Sequence, residues 1–271
     1  MSGAAAFWRK YGVLFKTDWA IMMIYRSETL IWMVGAFIQP LVSLAVWVSL
    51  SGSGSIAGYT ASDYVLYFTG VLVVDRLTRA WDVYELDRDI REGTFSAKLL
   101  RPFHPIHWSI NGNIVYKAFF AILMLPAWLL LAVFFPAMRL SVDAGTLGLV
   151  IIAVLLSSAM RFVIGYQFGL LAFWSNRATA MYALYEAIHM FLSGRIAPLS
   201  MFPDWVAAAA RVLPFYSTVA FPVDLLSGRL ADTPEAVWQG FAQQIGWLLL
   251  LVLSLRLVWR AGLKRYGAAG G

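Results

Sequence analysis

The sequence predicts an all-α membrane protein: six transmembrane helices preceded by an N-terminal amphipathic helix lying in the membrane interface. Three observations predict it. Of 271 residues, 61% are hydrophobic and only 13% charged, whereas soluble domains carry roughly 25% charged residues; so much apolar side chain has no place in a soluble core. The apolar residues gather into separate stretches long enough to cross a bilayer, which takes about 20 residues each. Lysine and arginine are distributed unequally between alternate connections, as membrane topology demands. Six crossings use roughly 120 residues and leave the rest for loops and interfacial pieces, so one transmembrane domain over residues 1–271 accounts for the chain.

The interfacial helix is expected over residues 5–22. Phe7, Trp8, Tyr11, Leu14, Phe15, Trp19 and Met22 recur at helical spacing, with Arg9, Lys10 and Lys16 between them, the pattern of a helix lying flat on lipid. Lys16 and Asp18 interrupt the following apolar stretch and no small-residue cleavage site follows, so no cleaved signal peptide is expected. The spans are expected at about 29–50, 63–81, 114–135, 147–174, 179–194 and 240–259. The first is uncharged and contains Pro40, which membrane helices accept where neighbours satisfy the freed carbonyl. Its Gly35, Gln39 and Ser43 recur every fourth residue as a small, polar packing face. The second ends in Asp75, Arg76 and Arg79; the fifth is broken by Gly194, Pro198 and Pro203.

Positive residues collect on the cytoplasmic side. With the N-terminus inside, the outer loops hold only Arg139, Arg195, Arg211 and Arg229, and nearly all the remaining Lys and Arg fall inside. Both termini are therefore expected in the cytoplasm, and an odd number of spans would destroy the segregation. The net charge of +6 and pI near 9.6 follow from this topology; the basic residues form no polar face for nucleic acid. Cysteine is absent, which excludes disulfides, thiolate zinc sites and a thiol nucleophile. There is no G-x-x-x-x-G-K-[ST], H-E-x-x-H or G-x-S-x-G sequence, and His104 and His107 flank Pro105, so no metal site is expected. The chain carries no catalytic constellation, and any nucleotide-driven work must come through another chain.

Three features are candidates for function. The first inner loop, Asp82 to Trp108, begins DVYELDRDIREGTFSAKLLRP. Its spacing predicts a short amphipathic helix with Leu86 and Ile90 on one side, Arg88, Asp89, Arg91 and Glu92 among the charges, Tyr84 near its start and Gly93 as the stop; such an element suits docking on a cytoplasmic partner. The stretch from Gly194 to Trp238 is too apolar for a free loop and too interrupted for one helix. It is expected to fold back into the outer leaflet, either as an outer gate built on Pro198, Pro203, Trp205, Pro214 and Phe215 or as a plain extracellular cap. Within the spans, Arg161 sits mid-way along the fourth and Glu186 two turns into the fifth, entering from opposite ends. Intramembrane charges pair or face water, so an Arg161–Glu186 ion pair is expected. Ser157, Arg161, Gly165 and Gly169 form one stripe; Tyr182, Glu186, His189 and Ser193 form another.

The order of parts, with the runs IREGTFSAKLLRP (90–102) and APLSMFPDW…LPFYSTVAFPVDLLSG (197–228), resembles permease subunits of the ABC-2 type exporter family. It is most similar to the bacterial branch usually encoded with one ATPase and often a second, related permease. The resemblance implies that Tyr84 to Gly93 is the coupling helix seated in an ATPase groove, that Ala197 to Pro222 forms outer re-entrant helices near the exit, and that Phe7 to Trp19 is the interfacial connecting helix. It implies a working unit of two permeases and an ATPase dimer in the bacterial inner membrane. ATP and Mg would bind in the partner ATPase and no cofactor in this chain, with an amphipathic or lipid-like cargo leaving between the permeases. Two other readings compete: a secondary transporter driven by protons through Glu186 and Asp75, and a non-transporting membrane scaffold.

Overall fold

A computed structural model describes residues 3–52, 54–140 and 142–266; the remainder of the expected domain, including Ser53 and both extreme ends, lies outside the described residues. The described chain is all-helical, 81% helix with no strand. Helix α1 (Gly3–Ile24) leads almost directly into α2 (Arg26–Ser51), and α3 (Ala61–Thr78) returns. Helix α3 starts on a capping box. The Thr60 amide donates to the Asp63 carboxylate at 2.8 Å and the Asp63 amide donates back to the Thr60 hydroxyl, satisfying amides that a helix start otherwise leaves open. Two short helices follow, α4 (Asp82–Arg91) and α5 (Phe95–Leu99), then the long α6 (Ile106–Phe134) and α7 (Ala144–Leu170). Helix α7 is opened by Asp143, whose carboxylate accepts from the Gly145 and Thr146 amides.

Helices α2, α6, α7 with its 3-10 extension to Phe173, and α12 (Pro234–Arg265) are long and apolar enough to cross a membrane. Large apolar side chains stand exposed along them, among them Ile31, Trp32 and Ile38 on α2, Leu129 and Phe134 on α6, and Leu250 and Leu257 on α12. Surfaces that apolar are at home in lipid. The other two expected crossings differ. Helix α3 carries Asp63, Asp75 and Arg76. Helix α8 (Ala178–Leu192) has 15 residues, about 22 Å of helix against the ~30 Å of a bilayer core. Where 114 and 240–259 were expected as limits, α6 already starts at Ile106 and α12 runs from Pro234 to Arg265, because polar residues at helix ends extend the turn beyond the apolar run.

Helix α7 is the hub, packing against α3, α4, α8 and α12 and against α10 (Pro214–Thr218) and α11 (Ala220–Leu226). Helix α1 lies against the first half of α6 through Tyr11, whose hydroxyl meets His107 Nδ1 at 2.7 Å, and through Trp19 edge-on to Phe119. Helix α12 is held at two notches. A Cβ on Gly240 would stand 2.1 Å from the Phe221 ring, and one on Gly262 would stand 2.2 Å from Phe173, so both rings are seated against bare backbone.

Beyond α8 the chain folds back on itself. Tyr67 of α3 donates to the Gly194 carbonyl (2.9 Å), Gln39 of α2 to the Arg195 carbonyl (3.0 Å) and Trp47 of α2 to the Ile196 carbonyl (2.9 Å). Three successive carbonyls released by the end of the helix thus find side-chain donors, the condition for irregular backbone at membrane depth. A 3-10 turn at Leu199–Met201 leads to α9 (Asp204–Val212), then α10 and α11. Met201 reaches Tyr64 near the start of α3, Val212 is back beside Trp247 along α12, and Arg229 returns to Gly58. The stretch is therefore a helical hairpin whose tip lies beside the middle of the long helices. Gly194 makes its entry possible, with φ +83° and a Cβ position 2.6 Å from the Tyr67 hydroxyl. Gly194→Ala combines left-handed strain with overpacking and should cost about 1–3 kcal/mol, seen as a lower midpoint in thermal unfolding of the purified protein; Gly12→Ala, with open space around it, should not.

Candidate functional site

One turn from its end, α3 presents Asp75 and Thr78 toward α7 and places Arg79 at i+4 from Asp75. Helix α7 supplies Arg161, and α8 supplies Glu186. The turn after α8 supplies Arg195. Asp75 Oδ1 lies 2.7 Å from Arg161 Nη1 and 3.4 Å from Arg195 Nε, while Oδ2 lies 3.1 Å from Arg79 and 3.8 Å from Arg76. Glu186 lies 3.4 Å from Arg161, 3.5 Å from Arg195 and 3.7 Å from Arg79. Arg161 also donates to the Thr78 hydroxyl at 3.0 Å. The expected Arg161–Glu186 contact is present, but Asp75 is the nearer partner of Arg161. Arg195, which charge sorting assigned to the outer loops, turns its guanidinium back to Asp75 and Glu186, because α8 ends after 15 residues.

Around this core the polar groups form ordered shells. Tyr182 donates toward Glu186 Oε1 and the Ala80 carbonyl, both at 3.3 Å. The Thr218 hydroxyl is spent on the Phe215 carbonyl (2.7 Å), so His189 Nε2, 2.9 Å from the same oxygen, is the donor of that contact and its proton sits on Nε2. Below the cluster the small residues of α7 admit close neighbours. Gly165 faces Ala80, and a Cβ on Gly169 would touch Leu86 at 3.0 Å. Above it, Ser157 donates to the Ser217 carbonyl, and Gln244 of α12 joins Ala153, Ser157 and Ser217. The α7 stripe legible in the sequence therefore connects the hairpin, the charge cluster and α4 in that order.

Helix α4 is amphipathic in the expected sense. Leu86 and Ile90 are buried with Val83, against a core that includes Leu170 and Phe173. Tyr84, Glu85, Arg88, Arg91 and Glu92 are exposed. The acids Asp82, Asp87 and Asp89 are buried; Asp87 pairs with Arg91 at 2.7 Å and Asp89 with Lys98 of α5. Gly93 takes φ +75° at the α4–α5 turn, a conformation open to glycine, and its carbonyl accepts from Tyr266 at 3.1 Å. At the root of α4, Asn113 of α6 donates to the Asp82 carboxyl at 2.6 Å. Burial pushes that carboxyl up to about 7, against the lowering effect of the Asn113 hydrogen bond. In the hairpin, Pro198 and Pro203 precede the 3-10 turn and α9, Trp205 is exposed, Pro214 opens α10, and Phe215 packs against Tyr185 and His189.

Sequence reasoning found Arg161 and Glu186 but not the parts of Arg79 and Arg195, nor the Asp82–Asn113 contact. Asp75 and Arg79 carried a usable signal, an acid and a base one turn apart at the end of an apolar helix. Arg195 carried none.

The fold and this site are those of a helical membrane protein: four long apolar helices, a charged core shared by α3, α7 and α8, a helical hairpin and a short amphipathic helix. The family model described as ABC-2 family transporter protein matches residues 30–270, and the chain belongs to that family. No curated protein and no solved structure matches it.

Two outcomes are expected. Asp75→Asn leaves guanidiniums unbalanced in the interior and should lower stability by about 3–5 kcal/mol. Glu186→Gln, at the more open edge, should cost less, and Asp75→Asn combined with Arg161→Gln should cost less than the sum of the single changes; unfolding midpoints of the four proteins decide this. For Asp82, the folded value of about 7 exceeds the unfolded ~3.9, so the native state holds the extra proton between them and stability falls as pH rises from about 4 to about 7. Asp82→Asn should flatten that dependence in melting curves taken across the same range.

Proposed function

We propose that the chain is the transmembrane permease of an ATP-driven exporter, moving an amphipathic or lipid-like substrate out of the cytoplasm or the inner leaflet. Six crossings, with α3 and the half-length α8 among them, place both termini and α4 in the cytoplasm of a bacterial inner membrane, and α1 at its interface. A cytoplasmic ATPase dimer binds and hydrolyses ATP with Mg, and a second permease, identical or related, completes the pathway. Helix α4 rests on the ATPase, and the hairpin from Pro198 to Phe215 serves as the outer gate.

The observation that carries this reading is the division of α4. Its apolar side is seated on α7 through Gly169 and Tyr84 packs edge-on against Tyr182 of α8, while Glu85, Arg88 and Glu92 are exposed with no ion pair among the described residues. A merely solvated connection has no need of so firm a seat beneath a charged ridge. Movement of α4 reaches α7 by direct contact, and α7 reaches the hairpin through Ser157. A proton-driven transporter would work from this chain alone, and a scaffold would bind a partner without stimulating its hydrolysis.

Arg88→Glu combined with Glu92→Arg should leave the unfolding midpoint within about 0.5 kcal/mol of the parent, as exposed substitutions do, while abolishing co-purification with the ATPase and substrate-stimulated hydrolysis. Intact stimulation in that double variant would remove α4 as the coupling element. Asp89 is unsuitable for this test, because reversing it breaks its internal pair with Lys98.

A further inference from the structure

The core at the inner end of α3 does not balance its charge. Four guanidiniums, those of Arg76, Arg79, Arg161 and Arg195, converge on two carboxylates, Asp75 and Glu186. Two positive charges are in excess. In surroundings as apolar as these, a structural ion network gains by matching its charges, and an unmatched one is costly.

A second observation points the same way. Arg79 Nε is buried without a hydrogen-bond acceptor, and so is the hydroxyl of Tyr185, the neighbour of Glu186 in the chain; Arg195 Nε makes no hydrogen bond either, only a 3.4 Å ion contact with Asp75. Buried donors of this kind normally find partners. Arg195 is itself only 6% exposed, so water supplies little of what it lacks.

The cluster is also graded. The side chains of Arg161 and Asp75 are 2% and 4% exposed, whereas those of Arg79 and Glu186 are 17% and 19% exposed. Access is therefore from the Arg79–Glu186 edge, where Trp81 lies against the Arg79 guanidinium at 5.7 Å and is partly open. A charged interior with an aromatic lip suits a molecule with an anionic head and an apolar body. Guanidinium forks match carboxylate and phosphate oxygens.

We propose that this edge is a binding site for the anionic head group, carboxylate or phosphate, of an amphiphile. The head group takes the Arg79 and Arg195 guanidiniums in place of Glu186, which now lies against Nη2 of the first and Nη1 of the second, and the apolar part lies over Trp81. The proposal rests on the permease reading only in making that amphiphile the cargo; binding itself needs neither ATPase nor transport. Glu186 acts as an internal stand-in that holds the arginines when the site is empty.

The test uses the full chain purified in an uncharged maltoside detergent, with thermal unfolding as the readout and dodecyl phosphate, dodecylphosphocholine and inorganic phosphate as probes. Dodecyl phosphate should raise the unfolding midpoint saturably, and dodecylphosphocholine, with the same chain but no net charge, should not. Arg79→Gln should weaken dodecyl phosphate binding about tenfold or more and Arg79→Lys less, the loss of one favourable charge contact. Glu186→Gln should tighten binding about tenfold by removing the competing carboxylate; a purely structural cluster predicts no such gain, and this variant stays informative if the arginine variants fail to fold. Equal shifts with dodecylphosphocholine, or no tightening in Glu186→Gln, would overturn the site. Inorganic phosphate binding as tightly as dodecyl phosphate would uphold the anion site and overturn the amphiphile. Either failure leaves the ATPase-coupling result untouched, and loss of that result leaves this one standing.

Discussion

The fold turns on one buried contact, the Arg161 guanidinium against the Asp75 carboxylate at 2.7 Å. Neither group is tolerable alone in that setting, since an uncompensated charge in an apolar interior costs several kcal/mol. Helices α3 and α7 are therefore committed to one register relative to each other. Once Asp75 is in place, Arg79 and Arg195 converge on the same carboxylate, and Arg195 draws the turn after α8 against α3. The hairpin follows from that placement, because the three carbonyls at 194–196 must then find Tyr67, Gln39 and Trp47. A short-range electrostatic requirement thus decides where irregular backbone can sit.

Much of this was legible from residue types alone. Long apolar runs marked α2, α6, α7 and α12, and Arg161 and Glu186 announced themselves as charges in apolar stretches. The alternation of Leu86 and Ile90 with charged neighbours gave the face of α4. What was not legible depended on depth. Sorting arginines between connections says nothing of where a long side chain reaches, and Arg195, counted with the loop after α8, turns back to Asp75 and Glu186. Asp75 looked like the edge of a span because three charges fall within Asp75 to Arg79, and only tertiary packing shows that they face inward. Asp89 stood among the charges of its segment with nothing to tell it from its neighbours, and only the structure shows it buried and paired with Lys98 of α5.

The two ends of the site are built differently. Around Arg161 the contacts are ionic and directional, and each fixes an angle as well as a distance. Beneath it, Gly165 and Gly169 offer flat backbone to Ala80, Leu86 and Val83, a contact that gains its energy from close packing and has no preferred partner atom. An ionic centre flanked by a smooth seat lets α4 be held near α7 without being locked to a single rotation. Buried polar networks, in contrast, exchange partners in discrete steps.

The two notches on α12 have a mechanical consequence. From Gly240 to Gly262 is about 33 Å of helix at ~1.5 Å per residue, close to the full thickness of a bilayer core, and at each end an aromatic ring of another element occupies the backbone surface. A rod clasped at both ends can tilt but cannot slide. Phe221 belongs to the hairpin and Phe173 to the 3-10 turn at the C-terminal end of α7, so α12 works as a tie bar of constant length. The hairpin cannot rise without either drawing the C-terminal end of α7 with it or leaving one ring without its socket.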